Sequence, residues 1–397
     1  MPAPEPPTGL SRRALLIAGT LAAAAPLGLV GCAPTPTAAD ASPAGETPAA
    51  PDAVRFSTTG AVFSPVVELT TGSSAEVVWQ DGSGAELARG TSPRISFGSA
   101  GARTVVMVTE FADVLTLNLG FGAEDDAGRH SLDATWDKAP EAVAEVAGLP
   151  LLVNLRRFLA GRTELGGALD FAGLAHLEHI ECYRAKVETI DLTGCASLIR
   201  LCLEENRLRG LDLNPVAGSL RDLRAAGQES GSLEFAPLTE PLAQLYHFCV
   251  RDQVVTGHPE PAMLPVCEEL WNWNCGQSDA FPTPGYAHSV LAADNGYTAA
   301  DLTGQWTYEG GWGTLDLTRN RLTAITLTDC RSLQTIRLGD NALDQAAVDR
   351  VLAEVAAWRT PGFELVLDGS NAAPSEAGRR HATELRGRKW KVSLAAS

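Results

Sequence analysis

Side chains able to do chemistry gather in a few short stretches of this chain. "HLEHIEC" (176–182) offers His176, His179, Glu181 and Cys182, the ligand types a divalent metal would take. "CEELWNWNC" (267–275) alternates two tryptophans with two asparagines between cysteines. Seven cysteines follow Cys32, enough for disulfides or reactive thiols. The patterns that make enzymes are missing, with no G-x-S-x-G, no phosphate-cradling glycine loop and no H-E-x-x-H. The sequence therefore predicts no catalytic residue, no metal site, no cofactor and no enzymatic activity. What remains is the aromatic stretch, and its meaning depends on which way the tryptophans face. Alternation of this kind reads as a β-strand, whose successive side chains point to opposite sides. Outward tryptophans would make a binding surface, whereas inward ones would be core.

Composition narrows the partners. The chain has 397 residues, with 48 acidic against 31 basic side chains and a formal net charge of −17. A surface that negative repels phosphate backbones, so nucleic acid is not an expected partner.

The N-terminus carries an address. "LSRRALLIAGTLAAAAPLGLVGC" places Arg12-Arg13 before an apolar run from Ala14 to Val30 that ends at Cys32. It resembles a twin-arginine export signal feeding a bacterial lipobox, Leu29-Val30-Gly31-Cys32. The resemblance implies cleavage before Cys32, lipid attachment to its thiol, and anchoring on the extracytoplasmic face of the membrane. Residues 33–52, "APTPTAADASPAGETPAAPD", then form a linker without core-forming side chains. At about 3.1 Å per residue such a spacer reaches up to roughly 60 Å.

Residues 53–120 alternate like an all-β module, with "AVFSPVVELTT", "AEVVWQ", "PRISF" and "RTVVMVTEF" as strands and "DGSG" and "GSAGA" as turns. The layout is similar to that of PKD-like sandwich modules, although the usual Asp-Gly-Thr turn is missing. Its expected role is that of a spacer.

Beyond residue 150 the chain repeats itself. "LTAITLTDCRSLQTIRLGDNAL" (322–343) superposes without a gap on "VETIDLTGCASLIRLCLEENRL" (187–208). The shared pattern resembles the leucine-rich repeat, L-x-x-L-x-L-x-x-N-x-L. The central L-x-L pairs fall at Phe158/Ala160, Ile180/Cys182, Leu201/Leu203, Leu223/Ala225, Leu245/His247, Leu270/Asn272, Val290/Ala292, Leu315/Leu317 and Ile336/Leu338, at spacings of 20 to 25 residues. Asn206, Asn295, Asn320 and Asn341 hold the asparagine slot, where an amide can satisfy turn backbone. The period breaks after residue 343, where a helix (344–358), a strand, a second helix and a closing strand resemble the terminal unit of bacterial leucine-rich proteins, "NAAPS" (371–375) included. The expected class is α+β, and five segments follow. They are a signal (1–32), a linker (33–52), a β-sandwich-like module (53–120), a solenoid of short parallel strands with its N-terminal cap region (121–343), and an αβαβ C-terminal cap (344–397).

The repeat sets a register. With L-x-L facing the core, Tyr246, Phe248, Trp271 and Trp273 become neighbours on two strands and face out, rimmed by Arg224 and Asp316. His247 and Asn272 must then point inward, side by side. The opposite register would bury the aromatics but put Glu268 and Gly276 in apolar slots. The inserts at 251–266, 276–288 and 304–313, which carry Trp306, Tyr308 and Trp312, emerge nearby and could roof the patch. Cys182, Cys195 and Cys330 read as small buried hydrophobes. Cys275 in the asparagine slot and Cys249 one residue short of it in the preceding coil suggest a disulfide. In this register Glu181 and Cys182 diverge, which argues against metal binding at 176–182. The expected function is non-enzymatic recognition of a protein or peptide at a lipid-anchored surface. Glycan or cell-wall binding and a purely structural role are the alternatives.

Overall fold

Apolar residues two apart, recurring every 20 to 25 positions, can be buried only if successive coils stack and share one core. The computed structural model, which describes residues 52–120, 141–282, 287–306, 313–360 and 362–396, shows this arrangement. The sequence signal and linker fall outside the described residues, except Asp52. Ala50 to Ser397 form one compact unit.

A 13-stranded sheet runs the length of this unit. Twelve of its strands are parallel neighbours, from Val114–Asn118 through Arg157–Leu159, His179–Glu181, Arg200–Cys202, Asp222–Arg224, His247–Cys249, Glu269–Trp271, Ser289–Leu291, Gly313–Asp316 and Leu333–Arg337 to Glu364–Leu367 and Lys391–Leu394. Val66–Leu69 pairs antiparallel at the first edge. Strand pairing aligns Leu117, Phe158, Ile180, Leu201, Leu223, Phe248, Leu270, Val290, Leu315 and Ile336 in one column, and each is at most 1% exposed. Short parallel sheets on the far side complete the coils, for example Ser278–Ala280, Gly296–Asp301 and Ala324–Thr326. The repeat pattern and the stacked parallel strands together describe a leucine-rich-repeat solenoid.

One strand is placed differently from expectation. The column runs through Phe248 and Val250, not Leu245 and His247. Leu245 is also fully buried, but it holds the first leucine of L-x-x-L-x-L, the position of Leu198 and Leu220 in the preceding coils. With phenylalanine and valine in the later slots, this first leucine imitates the second, which displaces the expected register by three residues.

An amide ladder joins the coils. Asn206 accepts from the backbone N–H groups of Ala185 and Val187 at 3.0 and 2.9 Å and donates to the Cys182 carbonyl at 2.7 Å. Asn341 accepts from Leu322 at 3.0 Å and donates to the Leu317 and Leu338 carbonyls at 2.9 and 3.0 Å. Asn295 and Asn320 act likewise. The same slot holds Gln228, Gln253 and Asn371, which the sequence reading did not assign. The residue before the slot is left-handed at Arg184, Glu205, Asp252, Asn274, Asp294, Arg319 and Asp340 (φ between 52° and 61°) and at Gly227, and in the coil of Asn371 the left-handed residue is Gly369, two positions before it. A left-handed non-glycine residue costs about 1–2 kcal/mol. The bend turns the following side chain inward, where the ladder and core offset that cost.

The N-terminal strands form a five-stranded antiparallel sheet in the order Glu86–Arg89, Val78–Asp81, Arg103–Val108, Val54–Thr58, Val143–Ala147. Phe56, Phe63 and Trp79 pack on one another at centroid distances of 5.4 to 5.9 Å. The line drawn at residue 120 does not separate two bodies. Val114–Asn118 already belongs to the solenoid sheet, and Val143–Ala147 returns to pair with Val54–Thr58. At the other end, a helix over Gln345–Ala357, N-capped by Asp344, and a second over Glu376–Gly387, N-capped by Ser375, alternate with the last two strands.

The ladder yields a direct test. Asn341→Ala strands the Leu322 N–H, at about 1–3 kcal/mol, while the Leu317 and Leu338 carbonyls keep their bonds from Asn320 and Asn371. Cys275→Ala, in the same slot, removes only a weak thiol donor to the Val250 carbonyl (3.1 Å). Urea denaturation should show Asn341→Ala to be the more destabilised of the two, by more than about 1 kcal/mol.

Candidate functional site

With Leu270 and Asn272 held in the core, Trp271 and Trp273 project from the outer face of the sheet. Both are half-buried, with ring centroids 6.3 Å apart. The Arg251 guanidinium lies 5.0 Å from the Trp273 centroid and pairs with Glu204 and Asp252 at 3.4 and 2.9 Å. The Trp271 indole N–H is buried without a hydrogen-bond partner among the described residues.

The other patch residues divide. Arg224 and Asp316 lie on the same outer face, in the column of Trp271. Tyr246 precedes its strand and is 40% exposed, at the rim. Phe248 is fully buried in the core, a correction to the expected outward position. The one-residue alternation puts Cys249, not Tyr246, beside Trp271. Trp306 is buried, with its indole N–H donating to the His288 carbonyl at 3.4 Å, while Tyr308 and Trp312 lie outside the described residues.

His247 and Asn272 do not meet in the core as the sequence suggested. Asn272 is inward and donates to the Tyr297 hydroxyl at 3.1 Å. His247, shifted by the corrected register, lies on the outer side and bonds through Nδ1 to Asp222 at 2.7 Å. It ends a row of buried polar side chains that the sequence reading missed. Arg200 Nε lies 3.1 Å from Glu181 and 3.4 Å from Asp222, and Arg224 Nε lies 3.2 Å from Asp222. Strand pairing makes Arg200, Asp222, His247 and Glu269 consecutive members of one column. The signal was available in the sequence as the residue before each central leucine-slot position, once the strand at 248 is set correctly.

Electrostatics follow from that arrangement. Burial pushes the Glu181 carboxyl up to about 7 against the attraction of Arg200. Burial also raises Asp222, but the His247 hydrogen bond and the charges of His247, Arg224 and Arg200 outweigh it and hold this carboxyl below its ordinary range.

The cysteines make no disulfide among the described residues, which corrects the expected Cys249–Cys275 bond. Cys249 sits in the outer column and its thiol faces Glu204, whereas the Cys275 thiol donates inward to the Val250 carbonyl. Burial raises both thiols to about 12, which makes them poor nucleophiles. Cys195 and Cys330 repeat one geometry, donating to the Phe171 and Leu302 carbonyls at 3.3 and 2.9 Å. Glu181 and Cys182 diverge as expected, with Cys182 fully buried in the core. No group of three metal-ligating side chains occurs among the described residues. Cys32 lies outside them.

No protein-family model and no curated protein matches the sequence. Among solved structures, an internalin from Listeria monocytogenes is similar with a TM-score of 0.40 at 15% identity, over 73% of this chain and 90% of that chain. The Arabidopsis receptor kinase HAESA, solved in complex with the peptide hormone IDA and the co-receptor SERK1, is similar with a TM-score of 0.30 at 15% identity, over 56% of this chain and 51% of that chain.

Glu181 sets a pH dependence. A carboxyl raised in the folded state adds nothing unfavourable while both states are protonated, and its penalty grows as pH rises from about 4.5 to about 7. Glu181→Gln should therefore match the wild type in urea denaturation at about pH 4. At about pH 8 it should be the more stable, by on the order of 1–3 kcal/mol. An equal difference at both pH values would contradict the assignment.

Proposed function

We propose that this chain is a non-enzymatic recognition protein that binds a protein or peptide on the outer face of its repeat sheet, centred on Trp271 and Trp273. The observation that carries the reading is the pair of half-open indoles, 6.3 Å apart, on one sheet face. Two large rings left partly open on one face mark a surface that gains by being covered. Tryptophan and arginine are also the side chains in which binding energy concentrates, and Arg251 stacks beside Trp273. Tyr246, Arg224 and Asp316 form the surroundings. Phe248 contributes packing from below and no contact.

The setting is extracytoplasmic in this reading. The Arg12-Arg13 and Leu29-Val30-Gly31-Cys32 motifs support twin-arginine export and lipid attachment at Cys32. Two or more acyl chains would anchor the chain stably where one would not. No helix among the described residues is long and apolar enough to cross a membrane. The N-terminal β-module serves as a spacer, and the terminal helix–strand–helix–strand unit covers the open end of the coil stack. A glycan partner is the second reading, supported by the Asn274 amide on the same strand run as both indoles, since sugars stack on aromatic faces with amide partners.

Affinity capture of surface proteins and a glycan array, each run with wild type and with Trp271→Ala/Trp273→Ala, test the proposal. Truncating a central anchor should cost about 2 kcal/mol or more, a loss of roughly 30-fold in affinity, with the circular dichroism spectrum unchanged. Wild-type affinity in the double variant for every partner recovered would sink the proposal. A wild-type glycan signal lost in the variant would move it to the second reading.

A further inference from the structure

We propose that His247 makes this surface responsive to pH, with protonation of its Nε2 drawing Glu269 in and resetting the surroundings of Trp271. The inference rests on the recognition surface proposed above and concerns its regulation.

A carboxylate has no proton to donate, so the 2.7 Å contact to Asp222 fixes the neutral imidazole with its hydrogen on Nδ1. Nε2 then carries a bare lone pair. It is buried, has no hydrogen-bond partner among the described residues, and lies 3.9 Å from the Glu269 carboxylate. An acceptor facing an acceptor is an unfavourable arrangement, and one proton reverses its sign. Protonated His247 has a carboxylate on each side, Asp222 from the preceding strand and Glu269 from the following one. The column then alternates in charge as Arg200, Asp222, His247 and Glu269. The other described charges nearby are Arg224, 3.2 Å from Asp222, and Glu181, paired with Arg200. Both arginines oppose protonation and the Asp222 and Glu269 carboxylates favour it, while Glu181, pushed up to about 7 by burial, favours it only where it is ionised.

The consequence reaches the indole directly. The His247 ring stands edge-on to Trp271 at 4.7 Å and 73°. Glu269 lies on the same strand and the same face as Trp271, with its side chain 43% exposed. A partner docking on Trp271 thus meets a Glu269 carboxylate that faces a bare lone pair when His247 is neutral and one tied to the imidazolium when it is protonated.

Nitrogen-15 NMR of the indole N–H groups of the full chain tests this without any partner. The Trp271 cross-peak is identified by its loss in Trp271→Phe. It should move along a one-proton curve as pH is varied and stand still in His247→Gln. In Glu269→Gln the curve should persist with its midpoint lower by about half a unit or more. Should His247→Gln fail to fold, Asp222→Asn keeps the imidazole and should lower the midpoint in the same direction. A stationary wild-type peak, a curve unchanged in His247→Gln, or midpoints unmoved in both carboxylate variants would overturn the proposal. Loss of partner capture in the tryptophan variants with this curve intact bears on the surface alone, and a missing curve with capture intact bears on the switch alone.

Discussion

Everything on the outer face depends on how one coil closes the backbone of the coil before it. A strand that ends in a left-handed residue leaves N–H and carbonyl groups pointing into the core, where water cannot reach them. An amide side chain at the next position reaches back and satisfies both kinds of group, as Asn206 and Asn341 do. That contact fixes the rotation of each coil relative to its neighbour. Once the rotation is fixed, strand alternation decides which side chains are core and which are face.

The aromatic stretch shows how tightly this works. An isolated "LWNWN" run gains more by burying its indoles than by burying its amides. Leu270 and the Cys275 slot nevertheless hold the opposite register, and the cost of burying Asn272 is offset only in part, since its amide N–H bonds the Tyr297 hydroxyl while its Oδ1 is buried without a partner among the described residues. The same constraint explains the polar row. Arg200, Asp222 and His247 occupy the position just before the core residue of each strand, so neighbouring strands bring them within reach of one another. Arg200 and Asp222 are paired across strands, so removing either would leave the other uncompensated.

Much of this was legible in the sequence. Strict L-x-L spacing gave the solenoid, and asparagines in identical slots gave four rungs of the ladder. The outward direction of Trp271 and Trp273 followed from Leu270. Substituted slots were harder to see. Phe248 and Val250 fill positions that elsewhere hold leucine, and Leu245 imitates the central residue. The resulting slip displaced Tyr246, His247 and Phe248 and, with them, the supposed Cys249–Cys275 bond. Gln228 and Gln253 perform the asparagine role with one more methylene, which a pattern built on asparagine does not detect. The Glu181–Arg200–Asp222–His247 row was invisible for a different reason. Its members lie 19 to 25 residues apart in sequence and become neighbours only through strand pairing.

The central claim is that stacked coils turn two indoles outward and one neighbouring phenyl ring inward. Hydroxyl-radical footprinting read by mass spectrometry measures this residue by residue in the folded chain. The structure predicts rapid oxidation of Trp271 and Trp273, with Phe248 and the core residue Trp79 protected until the chain unfolds. Protection of both indoles together with labelling of Phe248 would mean the opposite register, and the recognition surface would not exist.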